Sequence, residues 1–269
     1  MTGAPLPGRH ALTPWIVPAA IGLAWQVLSL AGVIPERILP APSAVAVAAW
    51  RLVASGELVR HVGISSGRAL VGLVLGGTIG FALGLASGLS RGAERVLDTT
   101  LQMIRNVPHL ALTPLVILWF GIDEAAKIFL VALGVFFPIY ANTQHGIRTV
   151  DPQLVEMGRI YGMTGAALFW RVYLPGALPA IFVGLRYALG IMWLTLIVAE
   201  TLAASAGIGY LAMHAREFLL LDVVVLSIVI YALLGKLADT IARVLERRCL
   251  RWHPAFARPA TRRAVPVAP

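Results

Sequence analysis

The sequence predicts an all-α membrane protein with six transmembrane helices, and three observations carry that prediction. Of its 269 residues, 58% are hydrophobic and only 13% are charged, against about 25% charged in an ordinary soluble domain. Mean hydropathy is +0.81. The charges are also widely spaced. Arg9 to Glu36, Arg68 to Arg91, Arg105 to Asp123, Lys127 to Arg148 and Asp222 to Lys236 enclose uncharged stretches, and Ala177 to Glu200 contains a single internal charge, Arg186. A helical span needs about 20 mainly apolar residues.

The spans are expected at about 12–33, 67–89, 108–122, 126–147, 177–200 and 222–245. The chain then divides into a tail (1–11), a first helix with an outer interfacial helix (12–62), a core (63–246) and a basic tail (247–269). The first span is too long for a signal peptide and ends in Gly32-Val33-Ile34-Pro35 rather than a small-residue cleavage site. After it, Leu39-Pro40-Ala41-Pro42-Ser43 makes a stiff turn. Ser43 is expected to cap the interfacial helix, whose Trp50, Arg51 and Arg60 reach the headgroup region.

The second span carries Gly72, Gly76, Gly80, Gly84 and Gly88 at strict four-residue spacing. Such a row cuts a groove into one helix face and lets another backbone approach closely; packing within the chain, packing between two copies and pore lining are the readings it allows. A charged helix with Glu94 and Asp98 four apart follows. Arg105-Asn106-Val107-Pro108 then opens the third span with a break, and Pro114 lies further along it. Broken backbone at membrane depth is tolerated where it is buried in protein or lines a water-filled cavity. Arg105, Asn106 and Pro108 are therefore candidate pathway residues, with a plain interfacial helix entry as the alternative. In the next turn Glu124 and Lys127 are expected to pair at an exposed site, where such a contact is worth little.

Between the fourth and fifth spans lies a polar interruption, Asp151 to Pro175. Asp151 can cap a helix with Pro152 at its first position. Gly162 can close that helix in the left-handed conformation, and Thr164 can cap a second short helix reaching Leu174 before Pro175 opens the fifth span. In that span Arg186, Trp193 and Glu200 recur every seven residues and share a face. A cation near mid-span is costly and marks a polar pathway or a partner. Arg186 and Glu200 are about 21 Å apart along the axis. Read as a pathway, the face has a cationic middle and an acidic outer end; otherwise Arg186 pairs with a carboxylate elsewhere and Glu200 meets headgroups. Gly207-Ile208-Gly209-Tyr210 beyond it is a place for a gate or an external contact. In the sixth span Asp239 can pair with Arg243 and Lys236.

With the N-terminus in the cytoplasm, fourteen Lys and Arg residues fall inside and six outside: Arg37, Arg51, Arg60, Arg68, Lys127 and Arg216. The positive-inside rule then places both termini and the 151–175 loop in the cytoplasm. The net charge of +9 follows largely from that bias and calls for no nucleic acid; the basic C-terminal tail reads as an anchor to anionic lipid. Cys249 is the only cysteine, which excludes a disulfide framework and a cysteine zinc site. The six histidines show no ligand spacing, so no metal is expected. His61, His109, His145 and His214 each stand alone near a span boundary, as hydrogen-bonded or solvated imidazoles do. No nucleophile elbow, phosphate-binding loop or carboxylate pair is present, so the residues do not suggest an enzyme.

The 151–175 stretch has a further property, its spacing: Glu156-Met157-Gly158, three residues, Gly162, nine residues, Val172, one residue, Leu174-Pro175. This resembles the Glu-Ala-Ala, Gly, Ile, Leu-Pro loop of the permease subunits of bacterial binding-protein-dependent ABC importers, with Met157, Gly158 and Val172 as mild departures. RNVPHLALTPLVILWFGIDEAAKIFLVALG, FFPIYANTQHGIR, LRYALGIMWLTLIVAE and GIGYLAMHAREFLL are similar to the aliphatic sulfonate permeases of that family, relatives of the taurine and nitrate permeases, over residues 12–253. The resemblance implies a type I importer permease of the MetI-like fold that works as a pair. Its partners would be two ATPase subunits, which hold ATP and Mg while this chain holds no cofactor, and a periplasmic substrate-binding protein. It also implies a coupling role for Asp151, Glu156, Gly158, Gly162, Leu174 and Pro175.

Overall fold

The computed structural model describes residues 16–252. The expected tail over 1–11, the first residues of the first span, most of the basic tail and the side chain of His109 lie outside the described residues. Everything regular in the described part is helical: α1 (Ile16–Leu30), α2 (Pro42–Ala54), α3 (Glu57–Leu89), α4 (Arg91–Arg105), α5 (Thr113–Phe120), α6 (Glu124–Arg148), α7 (Pro152–Ile160), α8 (Gly165–Leu168), α9 (Leu174–Ala203), α10 (Ile208–Glu217) and α11 (Leu221–Cys249). A 3-10 turn over His109–Leu112 precedes α5, and a π-helical turn over Phe169–Tyr173 joins α8 to α9.

Among the described residues, four helices are long and apolar enough to cross a membrane: Glu57–Leu89, Glu124–Arg148, Gly165–Leu202 and Leu221–Cys249. α4 and α5 meet the same length and hydropathy test only together, bent by 76° at the break, the shape of a broken span or a re-entrant loop. The break is where Asn106 caps α4 and Pro108 opens the 3-10 turn. The first expected span is represented by the 15 residues of α1, about 22 Å of helix.

Contacts divide the described chain into two compact units, residues 16–66 with 200–232, and 67–199 with 233–252. These cuts fall inside α3, α9 and α11 rather than at the sequence-based boundaries 62/63 and 246/247. The first unit is centred on Val45, Ala48, Leu58, Leu211, Ala215, Val223 and Leu226. Within it Ser43 does not cap α2. The helix begins one residue earlier, at Pro42, with Ala41 in the cap position, because proline is favourable at a first helical position. Ser43 instead bonds the Gln26 amide: its N–H donates to Oε1 at 3.0 Å and its Oγ accepts from Nε2 at 3.2 Å. Arg51, expected at headgroups, pairs with Asp222 at 3.0 Å.

The second unit is built on the glycine row. A Cβ at Gly72 would lie 2.5 Å from Val131 Cγ1, at Gly80 2.6 Å from Phe136 O, at Gly84 2.8 Å from Tyr140 O and at Gly88 2.7 Å from Ile147 Cβ. Of the readings the row allowed, the structure selects packing inside one chain: α3 and α6 run parallel, backbone against backbone. On the other side of α6, Gly146 of α6 and Gly184 of α9 bring those two helices together in the same way, with Ala177 O 3.0 Å and Pro138 O 2.9 Å from the Cβ each would carry. In the absence of a hydrophobic driving force between helices in lipid, close backbone contact of this kind is what holds spans together. The parallel register places Arg68 and Glu124 at one end of the pair, and Leu89 and Arg148 at the other.

Candidate functional site

The 151–175 segment is locked at both ends of α7. Asp151 Oδ1 accepts from the Gln153 N–H at 2.8 Å, with Pro152 in the first turn. At the far end the Gly162 N–H donates to Arg159 O at 2.9 Å and the Met163 N–H to Gly158 O at 3.0 Å. Gly162 has φ +76°. This is the Schellman closure, and it requires the left-handed conformation that glycine adopts freely. Thr164 occupies the next cap position, but its side chain caps nothing. The second helix also does not stop at Leu174. α8, the π turn and α9 form one continuous 38-residue helix, Gly165–Leu202, with Leu174 and Pro175 inside it. Pro175 is tolerated there because it sits in the first turn of α9, just after the π turn.

Gly158 plays an internal part. It is buried, and a Cβ there would meet Leu168 Cδ1 at 2.8 Å and Val172 Cγ2 at 3.3 Å, so it brings α7 onto the helix that follows. Glu156 is exposed and lines a cavity with Arg91, Arg148, Arg159 and Tyr173. The face turned outward is apolar. Leu154, Met157, Ile160 and Tyr161 are exposed, Ile160 and Tyr161 by 78% and 76%, and share one side of the helix. The i, i+3, i+6, i+7 spacing of these four is the sequence signal for this face, which the coupling motif with Glu156 does not contain.

The pathway candidates are not brought together. Arg105 is exposed at the last turn of α4, Asn106 is its C-cap, and Pro108 is exposed before the 3-10 turn. Trp193 packs with the cluster of Ala69, Val131, Val135, Ile139, Ala188, Met192 and Leu196. Arg186 donates to Glu246 Oε2 at 3.1 Å and, with Val183, Tyr187, Asp239 and Arg243, lines an open cavity of ≈ 510 Å³. Asp239 pairs with Arg243 at 2.8 Å and with Lys236 at 3.9 Å, as expected.

Glu200 neither lines an aqueous face nor meets headgroups. It is 1% exposed. Its carboxylate accepts from Ser65 Oγ at 2.8 Å, the Gly209 N–H at 2.9 Å and Tyr231 Oη at 3.0 Å. The same corner satisfies the start of α10: the Gly207 N–H donates to His61 Nδ1 and the Ile208 N–H to Ser65 Oγ, both at 2.9 Å. Three amides that a helix N-terminus leaves unpaired are thus taken up by side chains. Gly207, at φ +117°, makes the bend. His61 and Ser65 stand four apart on α3, the spacing that betrays a shared face.

Glu124 and Lys127 also differ from expectation. Lys127 is buried, and a third residue, Arg68, forks onto the Glu124 carboxylate through Nε and Nη2, both at 2.5 Å. Lys127 Nζ donates to Glu124 Oε1 at 3.4 Å and Ile122 O at 3.3 Å. Two cations held by one carboxylate at a span end form a structural clamp. No group of three metal-ligating side chains occurs among the described residues.

The α7–α8 pair thus lies between two antiparallel spans, α6 and α9, and is continuous with the second of them. The chain belongs to the binding-protein-dependent transport system inner membrane component family, whose pattern matches residues 72–251, and is a transport component rather than an enzyme. It is 64% identical over 245 residues, 91% of this chain and 93% of the relative, to an Escherichia coli K12 protein that carries the name aliphatic sulfonates transport permease protein SsuC. A Bacillus subtilis 168 protein of the same name is 46% identical over 90% of this chain and 87% of its own. The taurine transport system permease protein TauC of E. coli is 40% identical over 59% of this chain and 58% of its own. A crystal structure of an amino acid ABC transporter with histidines superposes with a TM-score of 0.61 over 74% of this chain and 96% of that one, at 18% identity, which is a likeness of fold.

Proposed function

We propose that two copies of this chain form the membrane pathway of an ATP-driven importer of aliphatic sulfonates in a bacterial inner membrane, with both termini cytoplasmic. Separate ATPase subunits, which hold ATP and Mg, dock on the 151–175 loop, and a periplasmic binding protein delivers substrate. The observation that carries the coupling role is the exposed apolar face of α7 on a helix closed at both ends. A docking element must be rigid to transmit a displacement, and apolar so that burial against a partner is favourable. The 38-residue helix from Gly165 to Leu202 then carries that displacement into the membrane, a shift of packed elements between two positions.

The sulfonate reading is supported by the 64% likeness over nearly the whole chain; the more partial likeness to a taurine permease supports a second reading, another small sulfonated or inorganic anion. The cavity beside Arg186 and Arg243 suits either. Because Arg186 is already balanced by Glu246, an anion passing there must compete with that carboxylate, which favours weak, transient contact.

The test is ATP-dependent uptake of a labelled alkanesulfonate by vesicles holding this chain, its ATPase and the purified binding protein, with taurine and nitrate as competitors. Saturable uptake blocked only by sulfonates is expected. Preferential uptake of a competitor would keep the importer and discard the sulfonate, and uptake without ATP would exclude an importer. Gly162→Val, which forces a β-branched residue into the left-handed region, is expected to abolish ATP-coupled uptake while the protein still inserts. A passive channel would be indifferent to it.

A further inference from the structure

The cavity under α7 is a second polar site, on the side of that helix away from its exposed apolar face. It has a volume of ≈ 590 Å³, within the range of small-molecule sites, about 300–1,000 Å³. Its walls are Leu89 at the end of α3, Arg91 at the start of α4, Ile147 and Arg148 at the end of α6, Val155, Glu156 and Arg159 on α7, and Tyr173. The cavity lies where the expected spans 67–89 and 126–147 end, next to the hydrocarbon boundary that spans of that length set.

The charges do not cancel inside it. Arg148 pairs with Glu94 and donates to Ser87 O at 3.0 Å, so its charge is already met. The Arg91 and Arg159 side chains have no hydrogen-bond or ion-pair partner among the described residues, and among the lining residues only Glu156 opposes them. The remaining balance is one positive charge. Aliphatic side chains line the same walls.

We propose that this cavity binds the headgroup of a phosphatidylglycerol-type lipid. Arg91 and Arg159 would take the phosphodiester, for which planar guanidinium forks are suited. Glu156 accepts from the glycerol hydroxyls, and Leu89, Ile147 and Val155 meet the start of the acyl chains. One phosphodiester charge neutralises the cavity. The lipid then ties α7 to the membrane on the side opposite its exposed apolar face, leaving that face free. The inference goes beyond the importer reading and does not depend on the substrate.

The test is native mass spectrometry of the full chain in detergent, offered equal amounts of dioleoyl phosphatidylglycerol and dioleoyl phosphatidylcholine, whose head lacks a hydrogen-bond donor. The chain should retain the glycerol lipid preferentially. Each surface cation contributes roughly a fivefold preference for anionic lipid, so Arg159→Gln should lower retention about fivefold and the Arg91→Gln, Arg159→Gln pair about 25-fold. Arg216→Gln, on α10 and outside the cavity, should leave it unchanged. Should the double variant not fold, Arg159→Gln alone decides, since Arg159 is exposed on a short helix. Equal retention of the two lipids, or retention insensitive to Arg159, overturns the proposal. Displacement of the lipid by millimolar inorganic phosphate overturns it in favour of a site for free anions.

Discussion

Glu200 shows how one buried group can hold several elements. A carboxylate that accepts from two hydroxyls and an amide while 1% exposed offsets its own desolvation only because each donor is also out of water. Removing it strands the donors, and an unsatisfied buried group costs about 1–3 kcal/mol. Glu200→Ala is therefore expected to lower the thermal midpoint of the purified chain by several degrees. Glu200→Gln should restore part of the loss, because the hydroxyls can turn to accept from the new amide while the Gly209 N–H keeps an acceptor. Equal stability of Ala variant and parent would show that the corner is held by packing alone. The seven-residue spacing with Arg186 and Trp193 singles out Glu200 but not its partners, because Ser65 and Tyr231 are 135 and 31 residues away.

At the scale of elements, the periodic signals were the legible ones. The four-residue glycine spacing, the Asp151-Pro152 start and the Gly162 stop each act through backbone geometry within a turn or two, and each reappears in the structure. What was hidden is continuity: nothing local says that α8 runs through a π turn into α9, since Pro175 reads as punctuation wherever it stands. The glycine row makes a sharp prediction. In Gly80→Leu the side chain starts 2.6 Å from Phe136 O, backbone that cannot swing aside, so α3 and α6 must separate. Overpacking of this kind costs about 1–3 kcal/mol or more, and the variant should melt earlier than Gly22→Leu, where nothing lies within 4 Å. For α7, Ile160→Asp should leave the melting of the isolated chain unchanged, as the residue is 78% exposed, while reducing co-purification of the ATPase at least tenfold. Undiminished co-purification would move the docking surface elsewhere.

For the whole molecule, composition and charge spacing sufficed to establish a helical membrane protein, because the bilayer permits few alternatives. They did not reveal how charges pair, because the partners meet only after folding: Arg68 with Glu124, Arg148 with Glu94, Arg186 with Glu246. The last pair bears on transport. Arg186→Gln should slow anion uptake in assembled vesicles if the cavity beside it is crossed, and Glu246→Gln, which frees the guanidinium, should raise apparent affinity and slow release; unchanged uptake in both would make the pair purely structural. The start of α10 has a related consequence. An N-terminal helix end with open amides is a ready receptor for a sulfonate or phosphate. Here the chain's own carboxylate, hydroxyl and imidazole already occupy those amides, so a passing anion finds no vacancy. This self-occupancy leaves the start of α10 fixed to its own neighbours instead of open to a mobile anion.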